Sequence, residues 1–206
     1  CEISQYPDYH VHYALKANAN PRLLQIIQQA GFGADCVSGG EVQAAIDAGF
    51  PADKVVYAGV GKSDYEILTA LKHDIFCFNV ESVPELQVIN ELSAREGKVA
   101  TVCLRINPDV EAHTHTHIIT GMAENKFGIA LNDLLEVVKM ANELSNVSFV
   151  GLHFHIGSQI TNMHDYVTLC QRINEIQFQL NKQGIYPSVI NVGGGLGVDY
   201  HSPEQH

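Results

Sequence analysis

The chain has 206 residues, of which 46% are hydrophobic and 17% charged, so it can bury a core and is not disordered. Its 12 basic and 23 acidic residues give a formal net charge of −11, which argues against nucleic acid or an anionic membrane as a partner. No apolar run approaches the length of a membrane helix and the N-terminus does not resemble a signal peptide, so we expect neither a membrane span nor export.

Apolar, β-branched or aromatic runs alternate with helical patterns along the chain. Seven such runs predict strands, at residues 11–15, 32–37, 55–59, 75–80, 99–106, 148–154 and 188–192. Helical patterns with readable ends lie between most of them. Repeated βα units of this kind predict parallel strands that are joined by right-handed crossovers.

Capping residues, proline and glycine mark the helix ends. Asn20-Pro21 begins the first predicted helix and Gly31 ends it. Three later helix starts have capping-box spacing just after a strand: Ser38 to Glu41, Ser63 to Glu66 and Ser82 to Glu85. The spacing of apolar residues predicts a fifth helix through Leu134, Leu135, Val138, Ala141 and Leu144. A sixth is predicted from Asp165 to Gln183, with Gly184 as its C-terminal cap.

Candidate functional residues lie at or just after the ends of five different predicted strands: Lys16, Asp35, Arg105, His155 and Gly193. The βα alternation fits either a closed barrel or an open doubly wound sheet. In a closed barrel the carboxyl ends of all strands converge on one mouth, whereas an open sheet spreads several of them apart. We therefore expect a parallel (β/α)8 TIM-type barrel. It is incomplete here, because the sequence has seven candidate strands and a barrel has eight.

Lys16 closes the apolar run 11–15, and a lysine at the end of a buried strand must be desolvated or paired. Desolvation favours the neutral amine, which is the form that attacks an aldehyde. The alternative is a lysine that reaches solvent from the strand end. Two later segments favour the reactive amine. One is the strand that ends in His155-Ile-Gly-Ser-Gln, and the other is the strand that opens into Gly193-Gly-Gly-Leu-Gly.

Glycines after a strand let backbone N–H groups converge on an anion without interference from side chains. An amine, an imidazole and such a phosphate cradle are together what pyridoxal 5′-phosphate requires. Four motifs resemble the alanine-racemase-type barrel decarboxylases, which use this cofactor: Tyr-Ala-Leu-Lys-Ala-Asn at 13–18, Gly-Ala-Asp-Cys-Val-Ser-Gly-Gly-Glu at 33–41, His-Ile-Gly-Ser-Gln at 155–159 and Gly-Gly-Gly-Leu-Gly at 193–197.

Within that family the chain is most similar to the diaminopimelate decarboxylases. The motifs behind this are Arg-Ile-Asn-Pro-Asp-Val at 105–110, Thr114-His115, Thr120-Gly121 and Asn-Lys-Phe-Gly at 125–128. The resemblance implies decarboxylation of meso-2,6-diaminopimelate to L-lysine by a cytoplasmic homodimer. Scattered cysteines without a Cys-x-x-Cys pair also favour a reducing compartment. Alternatives are a sister decarboxylase acting on carboxynorspermidine, ornithine or arginine, and a non-catalytic homologue that binds the cofactor or a partner.

The resemblance also implies a role for each site residue. Lys16 would bind the aldehyde of the cofactor, and the ring of His155 would stack on its pyridine. Gly193, Gly194 and Gly195 would donate backbone N–H groups to the phosphate, and Ser158 would add a hydroxyl. Asp35 and Arg105 match polar positions beneath the cofactor, although either could equally belong to a buried ion pair.

Three further features have simpler explanations. His153 is interpreted as structural and Glu41 as a helix-capping carboxylate. His113, His115 and His117 alternate as metal ligands on a strand would, but no carboxylate or cysteine accompanies them at useful spacing, so we expect no metal.

The sequence has no match for three parts of the family: the Glu-Pro-Gly-Arg segment, the second β-domain and the Cys-Glu-Ser motif. Residues 1–206 are therefore expected to be one pyridoxal phosphate-binding barrel domain, truncated at both ends. We expect this fragment to be inactive alone.

Overall fold

The computed structural model describes residues 5–108, 127–198 and 200. These residues form seven strands: β1 (His12–Ala14), β2 (Gly33–Cys36), β3 (Val55–Tyr57), β4 (Cys77–Val80), β5 (Ala100–Arg105), β6 (Val147–His153) and β7 (Val189–Asn191). They also form six α-helices: α1 (Pro21–Gln29), α2 (Gly39–Asp47), α3 (Asp64–Lys72), α4 (Val83–Arg95), α5 (Leu134–Glu143) and α6 (Met163–Lys182). All seven predicted strands are confirmed, each with limits within two residues of the expectation.

The strands belong to one sheet in which spatial order follows chain order, from β1 to β7. The pairs β1–β2, β2–β3, β3–β4 and β6–β7 are parallel. The register places Ala14 opposite Asp35 and His153 opposite Asn191. Consecutive parallel strands with helical crossovers are the arrangement that the βα alternation predicts.

The chain forms two compact units. The first comprises Cys1–Val102 and Ala141–Phe149, and the second comprises Cys103–Met140 and Val150–His206. In each, strand residues are fully buried, Val55 and Phe78 in the first unit and Leu104 and Leu152 in the second. Burial of these apolar side chains stabilises the sheet.

The helix starts of the first unit use the predicted caps, but in two of the three predicted capping boxes the carboxylate binds one residue before the cap. One of these is Glu85, which accepts from the N–H of Glu81 at 2.9 Å. Ser63 has the complete capping box, because Glu66 Oε2 accepts from the Ser63 backbone N–H at 3.1 Å. Ser38 accepts from the N–H of Glu41, but the Glu41 carboxylate accepts from Val37, one residue before the cap. The Glu41 side chain therefore does bind the start of α2, as a capping carboxylate would.

A buried ion pair, which the sequence pattern did not single out, fixes the loop after β3. The ammonium of Lys62 lies 2.6 Å from Glu85 Oε1, and its side chain is only 1% exposed. The same nitrogen donates to the carbonyls of Gly59 at 2.8 Å and Asn79 at 2.9 Å. Three acceptors compensate the buried charge, so Lys62 ties the β3–α3 loop to the end of β4 and the first turn of α4.

In the second unit, α6 begins at the Asn162 cap and is followed by Gly184, whose positive φ of 76° ends the helix as predicted. The predicted extension of the fifth helix to Leu144 is wrong, since α5 ends at Glu143. Ile129 forms a parallel bridge with Ile106, the residue after β5.

Candidate functional site

Lys16 lies in the 3-10 turn Leu15–Ala17, directly after β1. The turn buries Leu15 to 1% exposure and brings the side chain of Lys16 out to solvent. The expectation that this lysine is desolvated or paired is therefore wrong. Within the described part of the chain its ammonium has no hydrogen bond or ion pair, which leaves the amine accessible to an aldehyde.

Asp35 is the half-buried carboxylate of β2, opposite Ala14 in the register. Its Oδ1 atom is buried without a hydrogen-bond partner, and it forms no ion pair with any described residue. Burial raises the pKa of Asp35 to about 6. The positive charge of Lys16 lowers this pKa, and the negative charge of Glu41 raises it further. Lys16 and Asp35 therefore interact electrostatically within the first unit.

The substitution Asp35→Asn should remove a pH dependence of stability. Because the pKa of Asp35 is raised from 3.8 to about 6, the folded chain keeps a proton that the unfolded chain releases. The stability that this bound proton contributes is fully present below the pKa of Asp35 in the unfolded chain. It is lost as the pH rises through the pKa of Asp35 in the folded chain. Between pH 4 and pH 7, urea unfolding should show the wild type losing about 2 kcal/mol relative to Asp35→Asn. Parallel pH profiles of the two proteins would contradict this.

Arg105 ends β5 with 8% exposure and is packed by the residues of the Phe-Gly motif. Its guanidinium carbon lies 5.8 Å from the centroid of the Phe127 ring. Gly128 has a φ of 87°, and a Cβ there would lie 2.9 Å from the Arg105 carbonyl oxygen, so only glycine fits well. The N–H of Ile129 donates to the same oxygen at 2.8 Å. The segment 127–129 thus positions Arg105 within the second unit.

The second unit brings His155 and the glycine run together. A Cβ added at Gly193 would collide with the carbonyl oxygen of Phe154 and lie 3.1 Å from His155 Nδ1. A Cβ added at Gly195 would collide with the carbonyl oxygen of Gly157 and lie 3.5 Å from His155 Cε1. Both glycines have positive φ, 74° and 91°. The loop therefore requires glycine at these two positions to approach the half-buried His155 so closely.

Gly194 differs from its neighbours. No heavy atom of the described chain lies within 4 Å of a Cβ added there, so its side faces open space. The N–H groups of Gly194 and Gly195 have no hydrogen-bond partner among the residues that the structure describes. The N–H of Gly193 donates to Asn191 Oδ1 at 2.8 Å, which corrects the expectation that all three glycines offer donors to an anion. Two unpaired donors remain among the described residues.

The turn after His155 holds the other side of the glycine loop. Ser158 is half-buried next to Gln159, whose φ of 57° is unusual for a residue other than glycine. Gln159 Oε1 accepts from the N–H of Val198 at 3.0 Å, and its Nε2 donates to the Val198 carbonyl at 3.4 Å. Gln159 is part of the predicted motif, but its link across 39 residues depends on tertiary structure. The buried His153 is seen at 7% exposure in β6, as a structural residue would be.

Several sequence motifs lie outside the described residues: Asp109-Val110, His113, Thr114-His115, His117, Thr120-Gly121 and Asn125-Lys126. Across residues 5–108, 127–198 and 200, no group of three or more His, Cys, Asp or Glu is placed to hold a metal ion. In the same residues, none of the helices combines the length and apolar character that crossing a membrane requires.

Known proteins resemble the chain throughout. At 60% identity over 204 residues, it matches diaminopimelate decarboxylase of Bacteroides thetaiotaomicron, covering 99% of the chain and 53% of that enzyme. The crystal structure of diaminopimelate decarboxylase from Helicobacter pylori, complexed with L-lysine, superposes with a TM-score of 0.88 at 41% identity, covering 95% of this chain and 50% of that one. The chain spans about half the length of the relatives it matches.

A lysine/ornithine decarboxylase from Vibrio vulnificus, complexed with putrescine, is more distant, with a TM-score of 0.79 and 26% identity over 97% of this chain and 50% of that one. The fold of the chain is the parallel (β/α) barrel of these enzymes. The family model for the pyridoxal-binding domain of pyridoxal-dependent decarboxylases matches residues 3–206. By its sequence and its fold, the chain belongs to the pyridoxal-dependent decarboxylases.

Proposed function

We propose that the protein carries out pyridoxal phosphate-dependent decarboxylation of meso-2,6-diaminopimelate to L-lysine. The observation that carries this proposal is the glycine loop, which packs on His155 and leaves two backbone N–H groups and the open side of Gly194 for an anion. The exposed, unpaired amine of Lys16 adds the group that an aldehyde needs. Within each unit the residues fit the chemistry of pyridoxal phosphate.

In this proposal Lys16 binds the aldehyde, and Gly194 and Gly195 bind the phosphate through their N–H groups. Ser158 would add its hydroxyl, and His155 would lie against the pyridine. When bound, the cofactor supplies an electron sink for the charge left on the α-carbon as carbon dioxide departs. The chain supplies the positioning of this chemistry.

Asp35 interacts electrostatically with Lys16. With a pKa of about 6, its carboxyl is mostly ionised at pH 7 and attracts the lysine ammonium across the end of β1. The Arg105 guanidinium lies against Phe127 and would supply positive charge to a bound cofactor. The glycine loop packs closely on the ring of His155, which would cover one face of the pyridine of a bound cofactor and exclude water there.

Diaminopimelate is the favoured substrate because enzymes of that name have the higher identities, 60% and 42% among curated relatives, against 26% for the lysine/ornithine decarboxylase. The presence of an accessible Lys16 weighs against a non-catalytic homologue. A homodimer in the cytoplasm remains part of the proposal, and the buried free thiols of Cys36, Cys77 and Cys103 suit a reducing compartment.

A chimera tests the proposed reaction. This chain replaces the matching segment of the Bacteroides thetaiotaomicron enzyme, to which it is 60% identical over 204 residues. We expect carbon dioxide release from meso-diaminopimelate within about tenfold of the parent rate, and at least about a hundredfold less from ornithine or arginine. The parent enzyme is the control, and light scattering of the chimera tests for a dimer.

Two outcomes would contradict the assignment. A folded chimera that binds the cofactor and prefers ornithine or arginine would identify a sister decarboxylase. A folded chimera that binds the cofactor without releasing carbon dioxide from any of the three would identify a non-catalytic domain.

A further inference from the structure

A side chain outside the proposed cofactor contacts fixes the middle of the glycine loop. Tyr166 lies in the first turn of α6, and its hydroxyl donates to the carbonyl oxygen of Gly194 at 3.2 Å. The residue is half-buried. Burial, and secondarily the charge of Asp165, raises the pKa of Tyr166, so its hydroxyl stays protonated and remains a donor at neutral pH.

The carbonyl that Tyr166 holds belongs to the same peptide group as the N–H of Gly195. A trans peptide is planar, and its C=O and N–H point in opposite directions. Fixing the carbonyl of Gly194 therefore fixes the direction of the Gly195 N–H, one of the two donors in the loop that have no partner among the described residues.

Glycine makes this anchor necessary. Without Cβ atoms, the peptide between Gly194 and Gly195 can rotate through conformations that other residues avoid. Gly193 is held by Asn191 at 2.8 Å, and the carbonyl of Gly195 accepts from the N–H of Ile160 at 2.9 Å. Among the described residues, the Tyr166 hydroxyl is the side-chain contact that holds the peptide between these two points.

We propose that Tyr166 is a positioning residue of the phosphate cradle: it orients the Gly194–Gly195 peptide so that the Gly195 N–H is set to donate to a phosphate. The inference rests on the proposed function, since it concerns the phosphate of pyridoxal phosphate. It adds a residue from helix α6 that acts through the Gly194–Gly195 peptide.

The variant Tyr166→Phe tests this role, because it removes the hydroxyl and keeps the ring. Dissociation constants are measured for pyridoxal 5′-phosphate and for pyridoxal, which has the aldehyde but no phosphate. We expect the affinity for pyridoxal phosphate to fall about tenfold and that for pyridoxal to stay unchanged. Tyr186→Phe is the matched control, because Tyr186 is 73% exposed and has no hydrogen bond within the described residues.

Comparison of the affinities for pyridoxal phosphate and pyridoxal separates a positioning role of Tyr166 from a purely structural one. Equal weakening of both ligands by Tyr166→Phe, or a lower melting temperature that accounts for the loss, would overturn the positioning role in favour of a purely structural one. Wild-type protein that prefers the phosphorylated ligand, with Tyr166→Phe unchanged, would overturn the inference and leave the proposed function intact. Wild-type protein that binds both ligands equally would overturn the cradle, and with it both proposals.

Discussion

Replacing Lys16 with alanine in the chimera is expected to lower carbon dioxide release from meso-diaminopimelate at least about a thousandfold, which corresponds to about 4 kcal/mol of barrier. The reason is that this amine is exposed, unpaired within the described chain, and placed directly after β1. The alanine variant lacks the amine that is proposed to bind the cofactor aldehyde. The measurement is the initial rate under saturating cofactor.

Lys72→Ala is the matched control for this experiment. Lys72 is also exposed, in the last turn of α3, and has no proposed role in the chemistry. It should leave the rate within about twofold of the unsubstituted chimera. A Lys16→Ala chimera that keeps more than about a tenth of the activity would contradict the assignment of Lys16.

Substitutions in the glycine loop should separate folding from cofactor binding. Gly195→Ala should lower the free energy of unfolding by about 2–4 kcal/mol, because its φ is 91° and its Cβ would collide with Gly157. Gly194→Val should leave the unfolding free energy nearly unchanged, because a Cβ there meets no described atom within 4 Å. The valine should instead weaken pyridoxal phosphate binding at least about tenfold by occupying the space of the phosphate.

The two variants serve as controls for each other in chemical denaturation and in cofactor titration. If Gly194→Val binds pyridoxal phosphate as the wild type does while remaining folded, the anion does not sit at Gly194. If Gly195→Ala is as stable as the wild type, the close approach to Gly157 is not a packing constraint.

The strands and helix starts could be predicted because their signals are local. A β-strand shows itself through alternating or continuous apolar residues, and a helix start shows itself through a cap such as Ser63 with Glu66. The same local rules failed at the end of β1. The strand stops at Ala14, and the 3-10 turn that follows exposes Lys16, which was expected to be desolvated or paired.

The site itself could be predicted only where both partners of a contact belong to recognised motifs. His155 and the glycine run were expected to act together, and the loop does pack on the histidine. The two side chains that complete the loop lie outside these motifs. Tyr166 reaches Gly194 across 28 residues, and Asn191 takes up the N–H of Gly193 through its side-chain rotamer. A contact across 28 residues and the choice of a side-chain rotamer leave no periodic pattern in the sequence from which they could be predicted.

The most direct test of the account is the residue to which the cofactor attaches. The chain is loaded with pyridoxal phosphate, reduced with borohydride, digested and mapped by mass spectrometry. The account predicts that the label is found on Lys16, in the peptide that contains Tyr13-Ala-Leu-Lys-Ala-Asn, and that Lys16→Ala abolishes it. A label on another lysine, at the same yield in both proteins, would contradict the account.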